Sequence, residues 1–119
     1  MNGTRLRLAF AGTPVFAATV LRRLIENTRH AVVLVFTQPD KPSGRGKKLT
    51  ASPVKQLSQD HKLRVLQPVN PASIDPNHEL STLDACIVVA YGLKLPGALL
   101  QRPRLGCINI HASLLPRWR

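Results

Sequence analysis

The stretch LRLAFAGTPVFAATVLRRLIENTRHAVVLVFT, residues 6–37, decides the fold of this chain. Its first part, residues 6–11, is a short apolar run that a Gly-Thr-Pro turn ends, which is typical of a buried strand. The segment Val15–Asn27 then carries apolar residues at helical spacing. A second apolar run, 31–37, is rich in β-branched residues, and its lack of alternation favours a parallel strand covered on both faces. The order strand, helix, strand predicts a β-α-β unit.

The turn after the first strand also predicts how the helix starts. Thr13 precedes Pro14, and we expect the Thr13 side chain to cap the helix, with Pro14 at the first helical position. One apolar face of the helix should cover the sheet, while Arg22 and Arg23 lie on the opposite face. The residues expected on the apolar face are Phe16, Val20, Leu21 and Leu24.

The rest of the chain continues the alternation of strands and helices. Further strands are predicted at residues 64–67, 84–91 and 105–110, and short helices at residues 53–61 and 95–101. Ser52 is the expected cap of the first of these helices because it precedes Pro53. The segment 68–83 is predicted as a loop with about one helical turn. Together these elements predict an α/β fold with a Rossmann-like doubly wound, mainly parallel sheet, in which no sixth strand is evident.

One segment interrupts this pattern with charge and flexibility. Residues 38–52, QPDKPSGRGKKLTAS, contain two Pro, two Gly and four basic residues. No apolar periodicity runs through the segment, so it is predicted as a long loop, a feature that is usually functional or disordered. A flexible backbone with cations suits contact with phosphate groups. The alternative is a solvated loop without a ligand. The basic residues are Lys41, Arg45, Lys47 and Lys48.

The amino-acid composition and net charge limit the classes of protein to which the chain can belong. The 119 residues are 44% hydrophobic, which is enough for one small domain with a core and argues against wholesale disorder. The formal net charge of +11 favours a polyanionic partner such as nucleic acid. A surface that is basic only for solubility is the alternative. No apolar segment reaches the roughly 18 residues of a membrane span, so no membrane association is expected.

Several kinds of site are disfavoured. The turn sequence AGTPVF lacks the G-x-G-x-x-G pattern, and no acidic residue closes the second strand, so NAD binding is disfavoured. Neither a Walker A sequence nor a G-x-S-x-G elbow is present. Cys86 and Cys107 lie in apolar runs and are expected to be reduced, buried thiols. A metal site at Cys107 and His111 would need more ligands than the nearby sequence supplies, so no metal is expected.

The end of the last predicted strand carries the strongest chemical signal. Ligands of open parallel sheets bind beyond the carboxyl ends of the strands. Strand alternation places Asn109 and His111 on one side and Ile110 on the other. An amide and an imidazole could polarise a carbonyl and stabilise the oxyanion that forms when a nucleophile attacks it. The alternative is a capped strand end with a hydrogen-bonded histidine.

At this point the sequence resembles a known family over essentially its whole length. The motifs that carry the resemblance are FAGTP (10–14), FTQPD (36–40), GRGKK (44–48), SPVK (52–55), VVAYG (88–92) and NIHASLLPRWR (109–119). They are similar to those of the methionyl-tRNA formyltransferases, which formylate initiator methionyl-tRNA with 10-formyltetrahydrofolate. The Asn-x-His and Ser-Leu-Leu-Pro motif is shared across the wider class of formyltransferases that use this folate, so on its own it leaves glycinamide ribonucleotide and UDP-sugar formyltransferases open. The pairing of FTQPD with GRGKK points to the tRNA enzymes.

The resemblance implies roles for particular residues. Asn109 and His111 match the two residues that polarise the formyl group and support its tetrahedral intermediate. The loop from Asp40 to Lys48, with Arg45 at its centre, matches the loop that enters the acceptor end of the tRNA, and Lys41, Arg45, Lys47 and Lys48 are its expected tRNA-binding residues. The residues expected to line the folate site are Ser113, Leu114, Leu115 and Pro116.

The sequence also departs from the family pattern. Ala112 stands where many relatives have Gly, and no Asp or Glu follows His111, although the family has a third catalytic residue, an Asp, on a later loop. Residues 1–119 are therefore expected to be the N-terminal part of the catalytic domain, without the C-terminal tRNA-binding barrel and with little activity alone. The full-length protein is expected to be a cytoplasmic monomer. Another folate-dependent formyltransferase, or a non-catalytic RNA-binding module, remains an alternative.

Overall fold

The computed structural model describes residues 4–111 of the chain, in which seven strands and four α-helices alternate. The strands are β1 (Arg7–Gly12), β2 (Ala31–Phe36), β3 (Lys41–Ser43), β4 (Lys48–Thr50), β5 (Val65–Leu66), β6 (Ala85–Val89) and β7 (Cys107–Ile110). The helices are α1 (Val15–Asn27), α2 (Pro53–Asp60), α3 (Pro76–Glu79) and α4 (Gly97–Leu100), and 3₁₀ turns lie at Arg45–Lys47 and Pro71–Ser73.

Five of the described strands form one parallel sheet in the order β5-β2-β1-β6-β7. The chain builds outward from β1 through β2 to β5 and then returns to the other side of β1 with β6 and β7. The direction of growth therefore reverses between β1 and β6, which is the topological switch point of a Rossmann-like sheet. The prediction of an α/β, doubly wound, mainly parallel sheet is confirmed.

The apolar core lies on both faces of this sheet. Phe10 of β1 is fully buried on one face, where α1 and α2 pack through Leu21 and Leu57. The neighbours Ala9 and Ala11 point to the other face and contact a second cluster. The residues after β5 that belong to this second cluster are Leu80, Leu83, Cys86, Tyr91 and Leu99. Because both faces are covered, β1 needs apolar residues at every position rather than at alternate ones.

The first helix begins differently from the prediction. It starts at Val15, and Pro14 occupies the capping position in an extended conformation, φ −80° and ψ −178°. The prediction that Thr13 caps α1 is wrong, because the Thr13 hydroxyl donates instead to the carbonyl of Tyr91 at 2.8 Å. Phe16 was expected on the buried face, but it is 39% exposed, while its neighbour Ala17 is fully buried. The covering face of α1 is therefore displaced by one residue at its first turn.

The second helix begins as predicted. The Ser52 side chain accepts a hydrogen bond from the backbone N–H of Lys55 at 3.0 Å, and Pro53 occupies the first turn. The predicted loop at 68–83 contains the 3₁₀ turn Pro71–Ser73 and the single turn of α3. The first strand is present with its bounds shifted by one residue, and the other predicted strands and helices are present with shorter bounds.

The basic segment is a β-hairpin, so its prediction as a loop without strands is wrong. Strands β3 and β4 pair antiparallel, and the hydroxyls of Ser43 and Thr50 are hydrogen-bonded at 2.6 Å. Gly44 and Gly46 have φ of 69° and 80°, so they allow the tight return that side chains disfavour. Every residue from 41 to 50 is exposed, and the hairpin therefore has no apolar face that an alternation pattern would reveal.

A prediction concerns Gly12, which ends β1 at the switch point. A Cβ there would lie 2.7 Å from Ala17 Cβ and from the Val89 carbonyl oxygen, so helix α1 and strand β6 leave no room for a methyl group. We expect Gly12→Ala to lower the free energy of unfolding by about 1–3 kcal/mol, the usual cost of overpacking. Gly97→Ala is the control, because its Cβ would meet nothing within 4 Å. Equal urea midpoints for the two variants would contradict the prediction.

Candidate functional site

The carboxyl ends of β1, β2 and β6 are joined by hydrogen bonds at the switch point. The Tyr91 carbonyl accepts from Thr13 Oγ1 at 2.8 Å and from Gln38 Nε2 at 3.0 Å. The Gln38 backbone N–H donates in turn to Thr13 Oγ1 at 3.4 Å. Three separate loops are thereby held at one edge of the sheet, which is the edge where open parallel sheets bind their ligands.

Asn109 lies at this edge beside an apolar cleft. It belongs to β7 and pairs with Val88 of β6. A cleft of about 320 Å³ opens on its side of the sheet. The other residues that line this cleft are Val88, Leu93, Leu95, Leu100 and Cys107. Ile110 packs against the cluster on the opposite face, so Asn109 and Ile110 point to opposite sides as predicted.

His111 follows directly after β7 and is exposed. Within residues 4–111, neither the His111 nor the Asn109 side chain has a hydrogen-bond partner. The alternative of a capped strand end with a bonded histidine therefore has no support in the described part of the chain. The predicted folate-lining residues, Ser113, Leu114, Leu115 and Pro116, lie outside the described residues.

The four predicted tRNA-binding cations lie together on the β3–β4 hairpin. Lys41 and Lys48 lie on the strands, and Arg45 and Lys47 lie in the turn between them. All four are exposed, and among residues 4–111 none forms an ion pair. The structure therefore brings the predicted cations together and leaves their charges available to a polyanion.

A second cleft, of about 230 Å³, lies between the hairpin and the sheet edge. Thr13 and Gln38 line it from the sheet, and Lys41 and Ser43 line it from the hairpin. Because Thr13 and Gln38 also form the hydrogen bonds of the switch point, the hairpin faces the same edge of the sheet as those loops. Asn109 lies at the other end of that edge, on the outer strand β7.

The base of the hairpin contains a polar network that the sequence did not predict. The Asp40 carboxylate accepts from Lys55 Nζ at 3.1 Å through each oxygen and from Gln67 Nε2 at 2.8 Å. These hydrogen bonds, with that from Gln67 the stronger influence, hold the pKa of Asp40 below its usual value. Gln67 also donates to the Gln38 carbonyl at 3.1 Å. The only sequence signal was that Asp40 and Lys55 end two of the motifs quoted above.

The two cysteines lie side by side on neighbouring strands. Cys86 of β6 pairs with Cys107 of β7, and both are free thiols. Cys86 is buried as expected, whereas Cys107 is only half-buried because it lines the cleft beside Asn109. The hydrogen bond to Cys107, together with burial, raises the pKa of the Cys86 thiol. Among the side chains that the structure describes, which do not include that of His78, no cluster of three His, Cys, Asp or Glu residues could hold a metal ion.

None of the helices in the described part of the chain has the length and apolar character needed to cross a membrane.

Comparison with known proteins identifies the family. Residues 6–119 match the family described as formyl transferase. The chain is 58% identical over 116 residues to the methionyl-tRNA formyltransferase of Chromohalobacter salexigens and 56% identical over 116 residues to that of Hydrogenovibrio crunogenus. Each match covers 96% of this chain but only 35% and 37% of the relatives, so the chain spans about a third of their length. The chain therefore belongs to the formyl transferase family.

Proposed function

We propose that the protein transfers the formyl group of 10-formyltetrahydrofolate to the amino group of initiator methionyl-tRNA. The observation that carries this proposal is the arrangement of one sheet edge. Asn109 lies beside an apolar cleft on β7, and a hairpin with four exposed cations lies at the other end of the same edge. The names of the relatives support the choice of reaction and of acceptor.

The cleft beside Asn109 fits a flat, weakly polar ring system. Leu93, Leu95 and Leu100 supply apolar contact, and Asn109 is a polar group at its edge that could orient a ligand. We place the ring of the folate in this cleft, which sets the formyl group beside the Asn109 amide. The segment Ser113–Pro116 is proposed to complete the lining.

The proposed roles of the site residues follow from the position at which negative charge develops during the reaction. When the methionyl amine attacks the formyl carbon, the carbonyl oxygen becomes an oxyanion in a tetrahedral intermediate. Asn109 donates through its amide and His111 through its imidazole, and both bonds strengthen as the charge grows. The attacking amine must also lose a proton. We propose that the proton acceptor is the third catalytic residue that the family resemblance implies, an Asp on a later loop.

The hairpin supplies the argument for RNA. Four cations on ten exposed residues attract phosphate groups without reading their sequence. A formyltransferase for a small amine has no need of such a hairpin. We therefore favour tRNA as the acceptor. We further propose that residues 1–119 are the N-terminal part of the catalytic domain and that the complete protein is a cytoplasmic monomer.

The direct test is an acceptor comparison with the complete gene product. We expect formyl transfer to methionyl-tRNA and at least about 10²-fold slower transfer to glycinamide ribonucleotide or to a UDP-amino sugar, because the small amines gain nothing from the hairpin. Faster transfer to a small amine would assign a different formyltransferase. Tight tRNA binding without transfer, and without competition by the folate, would assign an RNA-binding module.

A further prediction concerns residues 1–119 assayed by themselves. With two proposed catalytic side chains but no proton acceptor, they should transfer formyl groups about 10²–10⁴-fold more slowly than the complete gene product. Turnover by residues 1–119 at the rate of the complete protein, and dependent on His111, would contradict the proposed division of the site.

A further inference from the structure

The hairpin projects from the sheet, so its position depends on how its two arms are attached. Residues 41–50 are all exposed, and no residue of the hairpin belongs to either apolar cluster. Apolar packing therefore does not fix its angle. The attachment is polar and lies at the residues that enter and leave the two strands.

Both arms are tied to helix α2, and each is also tied to a second part of the domain. Asp40, which enters β3, binds Lys55 of α2 and Gln67, which follows β5. Ser52, which follows β4, is hydrogen-bonded to the buried hydroxyl of Thr37 at 2.7 Å and caps α2. Helix α2 therefore receives both arms, one through Lys55 and the other through Ser52.

The contacts of the Asp40 carboxylate are arranged so that they can fix the orientation of the hairpin. Lys55 Nζ lies 3.1 Å from both carboxylate oxygens, and Gln67 holds Oδ1 and the Gln38 carbonyl with one amide group. The Lys55 and Asp40 side chains are only 18% and 30% exposed. An ion pair shielded in this way restricts its partners more than a fully exposed pair does.

We propose that Asp40 is a positioning residue that holds the cationic hairpin over the sheet edge in the geometry that receives the tRNA. This inference rests on the proposed function and deepens it, because it assigns a role in RNA binding to an acidic residue. The charge of Asp40 by itself predicts the opposite effect on RNA binding. The Asp40 carboxylate beside Lys41 weakens the attraction of the hairpin to phosphate groups, and it neutralises the charge of Lys55. The two explanations therefore predict opposite effects when the charge of Asp40 is removed.

The test is Asp40→Asn in the complete gene product, measured as the Kd for methionyl-tRNA. Asn keeps the size of the side chain but removes its charge and leaves only one acceptor oxygen. If the hairpin then keeps its binding geometry for about 10–20% of the time, the Kd rises about 5–10-fold. The slope of log Kd against log salt should not change, because the same cations contact the RNA once it is bound.

Asp60→Asn is the matched control. It changes the net charge by the same amount on the exposed last residue of α2, away from the hairpin. General electrostatics predicts that both variants bind tRNA as tightly as the wild type or slightly more tightly. Lys55→Arg is the conservative variant, which keeps an ion pair to both oxygens and should bind within about twofold of the wild type.

Two further measurements distinguish a change in the position of the hairpin from a loss of folding in Asp40→Asn. The melting temperature of Asp40→Asn should stay close to that of the wild type, and the KM for the folate should not change. The backbone amides of Gly44 and Gly46 should show lower heteronuclear NOE values in Asp40→Asn than in the wild type. Unchanged NOE values at these glycines would overturn the inference.

The outcomes distinguish the inference from the function on which it rests. Tighter or equal tRNA binding by Asp40→Asn, with normal binding by the wild type, would overturn the positioning role and leave the function intact. If the wild type does not bind tRNA, the proposed function fails and the inference fails with it. Weaker binding by Asp40→Asn but not by Asp60→Asn, with mobile hairpin glycines, is the expected result.

Discussion

Replacing Asn109 with Ala in the complete gene product is expected to lower the kcat of formyl transfer about 10²–10³-fold, the usual cost of losing one donor to an oxyanion. The KM values for the folate and for the tRNA should change little, because the bond strengthens only as charge develops on the formyl oxygen. His111→Ala should lower kcat by a similar factor, about 10²–10³-fold, because the imidazole is proposed as the second donor to the same oxyanion.

Matched controls exist for both substitutions. Asn27→Ala removes an exposed amide at the end of α1, and His61→Ala removes an exposed imidazole at the end of α2. Neither residue lies at the carboxyl edge of the sheet, so both variants should keep wild-type kcat. The proposed catalytic roles would be wrong if the Asn109 or His111 variant raised KM and left kcat unchanged, because that pattern indicates uniform binding.

The fold was predictable where burial alone selects the residues. A sheet strand covered on both faces requires consecutive apolar residues, and β1, β2 and β6 carry them, so their positions and the parallel class followed from the sequence. The position of Asn109 at the carboxyl edge followed from its place near the end of the last predicted strand, and its side of the sheet followed from strand alternation. These predictions needed no knowledge of distant contacts.

The predictions were wrong where a polar side chain has several possible hydrogen-bond partners. Thr13 has the sequence context of a helix cap, but its hydroxyl binds the Tyr91 carbonyl, 78 residues away. Propensity describes local competition only, and a long-range acceptor at the switch point outweighs it. The hairpin was missed because its strands are short and exposed on both sides, so no alternation of apolar residues marks them.

The Asp40 network was missed for a related reason. Its three members, Asp40, Lys55 and Gln67, come from three segments that only the folded chain brings together. An acidic residue in a basic segment has no periodicity and no motif chemistry of its own. The sequence therefore identified the cations that could bind RNA, but it did not identify the residue that orients them.

The hairpin itself is the subject of the second large prediction. Replacing Arg45, Lys47 and Lys48 together with Ala should weaken the binding of methionyl-tRNA about 10²-fold at about 0.15 M salt, because each lost phosphate contact removes about 0.6–0.7 log units of affinity there. The slope of log Kd against log salt should fall by about 2–3. The KM for the folate should remain unchanged, since the hairpin and the apolar cleft beside Asn109 share no lining residue.

A control variant that loses the same charge tests whether the weaker tRNA binding comes from the position of the lost cations or from the change in net charge. Arg23, Arg29 and Arg102 are exposed, lie outside the hairpin, and form no ion pair within residues 4–111. Replacing these three with Ala removes the same charge from outside the hairpin, and salt screens the attraction between charges that are not in contact, so we expect less than about threefold weaker binding. Equal losses of tRNA affinity in the two triple variants would mean that tRNA binding depends only on the net charge of the protein. A loss confined to the hairpin variant would make the hairpin the tRNA contact, and the geometry that Asp40 gives it would then matter for affinity.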